Sequence, residues 1–183
     1  MSTIWKELAG DVSTIFSNLP KTTRKPVLLE VWYFSDTVSV CAGGSTNHAL
    51  FADDCLSDEK PLETIYERDE ESALRETFKA LKKHHHFLGK TIEGKIDESS
   101  PTEWDMISKR LRETYDKFSK LEIGDPPLVY IVRFMTDGKV GVFFRNWANF
   151  KRTFQLEGKV YENEYEALIK EEKRIKTIEE LCR

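Results

Sequence analysis

The chain has 183 residues, 39% hydrophobic and 33% charged, with a formal charge of −4 and a pI near 5.7. Its 11 Phe, 6 Tyr and 4 Trp exclude a disordered chain, and the missing basic excess excludes a general nucleic-acid binder. One domain of this length can bury roughly two-thirds of its unfolded surface, so it requires neither disulfide nor metal to fold.

In chain order, a first helix is expected over residues 3–17, where Ile4, Leu8, Val12 and Ile15 share one face. Asn18 and Pro20 end it. Residues 27–34 and 37–42 read as two strands around a Ser35-Asp36 turn, with Gly43-Gly44 closing the second. Residues 47–51 suggest a short third strand. A second helix is expected over 70–88, with Leu74, Phe78, Leu81 and Leu88 buried and Gly89 as its stop.

Ser100-Pro101-Thr102-Glu103 has the form of a helix start: a capping Ser, a Pro at the first helical position and a Glu that reaches back. The helix that follows would bury Trp104, Ile107, Leu111, Phe118 and Leu121 and end at Gly124, before Asp125-Pro126-Pro127. A hairpin is expected over 128–134 and 139–144, joined by Thr136-Asp137-Gly138. Residues 152–161 suggest another strand. Residues 162–181 read as a helix with Tyr165, Leu168, Ile169, Ile175, Ile178 and Leu181 as its apolar positions. Helix then hairpin thus occurs twice, at 3–42 and 101–145. No sequence identity links the two, so the expectation is an architectural echo rather than a repeat.

Cys41, Cys55 and Cys182 are odd in number and form no C-x-x-C pair, which suits reduced thiols in a cytoplasmic protein. Lys6, Glu7 and Asp11 interrupt the apolar pattern of the N-terminus, so no signal peptide is expected. No apolar run approaches the ~20 residues that cross a bilayer. A membrane partner is therefore not expected.

Catalytic signals are thin. His84, His85 and His86 are consecutive, so on a helix they point about 100° apart and do not converge on one ion. His48 lies near Ser45, Asp53 and Asp54, but real triads assemble from distant segments. No phosphate-binding loop, dinucleotide fingerprint or nucleophile elbow occurs. The expectation is a protein that is not an enzyme and has no cofactor, with a small hydrolase or nuclease site around His48, Asp53 and Asp54 as the alternative.

Charge is unevenly placed. Residues 53–71 hold nine acids (Asp53, Asp54, Asp58, Glu59, Glu63, Glu67, Asp69, Glu70 and Glu71) against Lys60 and Arg68, a balance of −7 that leaves +3 for the rest. Such a segment is a solvated face, a favourable helix N-terminus, or a docking surface that speeds association with a basic protein. Phe143, Phe144, Trp147 and Phe150 cluster after the second hairpin beside Arg145. The Phe residues suit a core, whereas Trp147 is a candidate interface anchor.

Several stretches together resemble the YezG-type antitoxin family of bacterial immunity proteins. They are Ile4-Trp5-Lys6-Glu7-Leu8-Ala9 opening a helix, Leu19-Pro20 after it, the strand pair from Leu28 to Cys41, a polar helix leading to Pro127, and a hairpin around Asp137-Gly138-Lys139. The resemblance spans much of residues 4–150. It implies a cytoplasmic protein that neutralises a cognate toxin by binding it. The fold expected is a single α+β domain, residues 1–183, with an antiparallel sheet covered by helices. The function expected is stoichiometric inhibition of a basic toxin through the acidic segment and Trp147. A non-inhibitory adaptor is a further alternative.

The spacing of four His and three Cys predicts no structural metal. Elemental analysis of purified protein should find no stoichiometric zinc, and a chelator should leave the unfolding midpoint unchanged. One bound equivalent would overturn this.

Overall fold

A computed structural model describes residues 2–18, 26–44, 49–51, 65–84, 86, 100–119, 128–145, 154 and 156–183. The elements are α1 (Ile4–Asn18), β1 (Pro26–Tyr33), β2 (Val38–Gly44), β3 (Ala49–Phe51), β4 (Ile65–Glu67), α2 (Glu70–Lys83), α3 (Glu103–Ser119), β5 (Val129–Met135), β6 (Val140–Arg145), β7 (Lys159–Tyr161) and α4 (Glu164–Leu181). This is an α+β arrangement. Among the described residues, seven strands form one antiparallel sheet in the order β3-β2-β1-β5-β6-β7, and β4 pairs with the same edge of β2 as β3 does.

Alternation along the strands gives the sheet two unlike faces. Leu29, Val31, Tyr33, Val38, Val40, Tyr130, Val132, Phe134, Val140 and Val142 join the helices in one large core. Trp32, Val129 and Ile131 form a smaller cluster on the opposite face, with Phe34 and Phe143 against it. From α1 the core receives Trp5, Leu8, Val12, Ile15 and Phe16, so Trp5 rather than Ile4 leads the buried stripe.

The echo in the sequence proves to be a structural repeat. Each half runs helix, hairpin, short strand, helix, and the first half carries β3 as an additional short strand. In the first, Val38, Ser39 and Val40 pair with Glu67, Tyr66 and Ile65. In the second, Val140, Gly141 and Val142 pair with Tyr161, Val160 and Lys159 in the same register. The halves join where β1 meets β5, with Val31 opposite Val132. That antiparallel junction makes them mates of an approximate two-fold beside this pair.

Two buried glutamates clasp the halves. Glu70 opens α2. Its Oε2 accepts the Thr102 N–H at 2.9 Å, and its Oε1 accepts the Thr102 hydroxyl, Trp5 Nε1–H at 2.7 Å and the Tyr33 hydroxyl at 2.6 Å. Glu164 opens α4 and repeats the pattern. Its Oε2 accepts the Thr3 N–H at 3.0 Å, and its Oε1 accepts the Thr3 hydroxyl and Trp104 Nε1–H at 2.9 Å. The Trp belongs to the same half as its glutamate, and the Thr to the other half. Each carboxylate therefore ties the start of one half's first helix to the start of the other half's last helix.

The second clasp partner corrects the expected start of α3. The capping residue is Thr102, not Ser100. The Thr102 carbonyl accepts the Met106 N–H at 3.1 Å and its hydroxyl the Asp105 N–H at 3.3 Å. Ser100 and Pro101 are exposed and precede the helix. Pro101 excludes its own amide from the first turn, and Glu70 fixes the Thr102 hydroxyl where a cap must sit.

One other boundary and one buried stripe differ. Helix α2 stops at Lys83, where His84 takes φ −106° and its N–H bonds to the Leu81 carbonyl; Leu88 and Gly89 lie outside the described residues. In α4 the buried positions are Glu164, Ala167, Glu171, Ile175 and Ile178, while Tyr165, Ile169 and Leu181 are exposed. The α4 stripe is shifted because two glutamates belong to it. The second hairpin turns as expected, with Gly138 at φ +89°, a conformation that disfavours a side chain. Leu121 and the Gly124 stop also lie outside the described residues.

The corrected cap separates two substitutions. Thr102→Ala should destabilise the fold by about 3 kcal/mol, roughly one for the cap and two for the bond to a buried carboxylate. Ser100→Ala should change it by less than about 0.5 kcal/mol. Chemical denaturation of both variants checks this, and the reverse order would refute the assignment.

Candidate functional site

The face of the sheet turned away from the helices carries an aromatic and arginine array. Glu30 and Trp32 on β1 point there, as do Arg133 on β5, Phe143 and Arg145 on β6 and Tyr66 on β4. The Trp32 and Phe34 rings stack with centroids 6.1 Å apart, and Phe34 meets Tyr66 at 6.0 Å. The Arg145 guanidinium lies 4.8 Å above Trp32, and that of Arg133 4.6 Å above Phe143. Buried Glu30 fixes the centre. It accepts Trp32 Nε1–H at 2.8 Å and pairs with Arg133.

Local sequence explains why the array holds its shape. Residues directly opposite one another on neighbouring strands share a face, and the register sets Trp32 opposite Ile131 and Ile131 opposite Phe143. Gly141 has no Cβ where one would lie 2.5 Å from the Phe143 ring, so the ring can lie across β6 with Arg133 over it. The outer end of the array is open. Tyr66 is 54% exposed, and its hydroxyl accepts the Thr37 hydroxyl at 3.2 Å.

Tyr66 is also part of the acidic segment. Of the acids in that segment, Asp53, Asp54, Asp58, Glu59 and Glu63 lie outside the described residues, as do Trp147 and His48. Glu67 is half-buried at the end of β4. Asp69 is exposed and caps α2, accepting the Ser72 N–H at 2.8 Å. Glu71 is exposed and pairs with Arg75 at 2.5 Å. Glu70 requires correction. It is 4% exposed and its carboxylate is filled by Trp5, Tyr33 and Thr102, so it has no surface left for a partner. Burial pushes its carboxyl above the usual carboxylate range.

Two other groups stand out electrostatically. Glu171, buried in α4, receives the Tyr161 hydroxyl and, at 3.4 Å, the Tyr130 hydroxyl, and burial raises its carboxyl too. Arg112 spans from α3 to the Leu128 and Tyr33 carbonyls, and burial lowers its guanidinium to about 10. Both are structural, with their polar atoms committed to the fold. Among the described residues no three of His, Cys, Asp and Glu converge as metal ligands. No described helix is long and apolar enough to cross a membrane.

The array was not read from sequence, because Trp32 and Phe34 looked like ordinary strand residues and Tyr66 lay in an acidic stretch. Their odd-even parity along two strands was the available signal. Comparison with protein-family models, curated proteins and solved structures finds no match to this chain.

Asp69 offers a pH test. Its carboxyl is held below the ordinary value, chiefly by the Ser72 N–H. A carboxyl lowered by folding stabilises above its unfolded value and loses that contribution as the pH falls through its folded one. Asp69→Asn keeps a capping acceptor without the charge. The stability difference from wild type should be constant above about pH 5 and shrink steadily on acidification. A difference independent of pH would show that the Asp69 charge plays no part.

Proposed function

We propose that this protein is an immunity or antitoxin-type inhibitor that neutralises a basic toxin by stoichiometric binding. The carrying observation is the position of Tyr66. This half-exposed ring ends the Trp32–Phe34–Tyr66 array and sits inside the segment whose balance is −7. Anchor and charge are thereby adjacent in the sequence. Aromatic and arginine side chains are the residue types that most often dominate binding energy, and a one-signed field beside them raises the rate of encounter.

Two further points support the reading. The array lies on a pleated sheet backed by a full core, so little order has to be gained on binding. The buried carboxylates Glu70, Glu164 and Glu171 are each occupied by several donors of the fold itself, which leaves them unsuited to proton transfer. The resemblance to YezG-type antitoxins points to the same class of activity.

The test begins with co-purification from the native host and identification of the partner. Neutralising Asp53, Asp54, Asp58 and Glu59 should then slow association, with the effect fading as salt rises. Tyr66→Ala should instead speed dissociation by about tenfold or more. Glu70 is left intact, because its loss would damage the fold. A partner that is acidic, or an association rate indifferent to the four changes at low salt, would overturn the proposal.

A further inference from the structure

The repeat supplies an internal control for what the scaffold requires. Residues of α4 match those of α2 ninety-four positions earlier, as Glu164 matches Glu70 and Asn163 matches Asp69. Lys170 then corresponds to Glu76 and Arg174 to Ala80, while β7 Lys159 corresponds to β4 Ile65. The first half builds the same strand, helix and clasp without these three cations, whereas Lys173 has a counterpart in Lys79.

In the second half they border a groove of about 460 Å³ between β7 and α4. Lys170, Lys173 and Arg174 follow one another at the i, i+3, i+4 spacing of a single helical face, and Lys159 faces them from β7. Lower on the same helix face Ile178 continues the wall, with Leu156 opposite, so one end is cationic and the other apolar. The volume suits a small molecule.

Arg174 is the most constrained member. Its guanidinium lies 4.6 Å from the Phe144 ring centroid, its Nη1 donates to the Glu157 carbonyl at 3.1 Å, and Nη2 is 3.3 Å from Glu171 Oε2. Among the described residues its Nε and Nη2 make no hydrogen bond. Burying a guanidinium with unsatisfied donors is unfavourable; the first half has Ala80 at this place and Thr77 where the second has Glu171. Lys170 is held by Glu166, and the Lys159 charge acts on buried Glu171 without a direct ion pair among the described residues. The groove thus holds more positive charge than its own acids offset.

We propose that this groove binds a small organic anion, a carboxylate or phosphate head on an apolar body. Lys159, Lys173 and Arg174 take the head, and Leu156 and Ile178 take the body. Calorimetric titration of the full chain with octanoate, octyl phosphate, inorganic phosphate and 1-octanol tests it. Saturable one-to-one binding of octanoate or octyl phosphate is expected, and whichever binds more tightly identifies the head group. The Lys159→Glu, Lys173→Glu double variant, altered only at exposed positions, should bind about tenfold more weakly or less. Circular dichroism should show it folded. Failure of both amphiphiles to saturate, equal affinity in the double variant, or equal affinity for octanol or for phosphate alone would overturn the proposal.

Discussion

Glu70 and Glu164, two of the buried carboxylates, have to be fully hydrogen-bonded, and most of the architecture follows from how this is done. An ionised carboxylate in a core costs several kcal/mol unless its lone pairs are filled. Glu70 and Glu164 are filled by a backbone N–H, a hydroxyl and an indole each, and the donors come from both halves of the chain. Neither half can satisfy its own glutamate. The clasp therefore penalises any state in which the halves separate, and it marks where the four described helices begin: two at the threonines and two at the glutamates.

The sheet is the second consequence. With the helices gathered by the clasp onto one side, the β1–β5 junction makes the two hairpins a continuous surface. One face is sealed by the main core. The other is left to Trp32, Phe34, Phe143, Tyr66 and the arginines above them. Strand register positions Trp32, Phe143 and Tyr66 on this face, with Trp32 buried and Tyr66 exposed.

The halves share a frame but not a surface. Thr77 in α2 bonds its hydroxyl to its own helix, whereas the matching Glu171 in α4 gathers Tyr130, Tyr161 and Arg174. The first half carries the acidic segment and the second the cationic groove. Repetition fixes the backbone, and the side chains of the two halves diverge on it.

Periodicity alone placed α1, α3, both hairpins and the α+β class, because apolar spacing and turn chemistry act within a few residues. The repeat was also written locally, as Thr-x-Trp at 3–5 and 102–104 and as Asp/Asn-Glu-x-x-Ala-Leu at 69–74 and 163–168. Those short matches carry meaning only once the segments are known to touch. Glu70 read as part of a solvated charge run, and Glu164 as a helix's first-turn acid, since local sequence cannot say whether a carboxylate will meet water or donors from a hundred residues away. Ser100 was mistaken for the cap for the same reason, because the choice of Thr102 is made by Glu70. Burial of charge is a long-range property, set by which segments pack together, and only the tertiary structure could decide it.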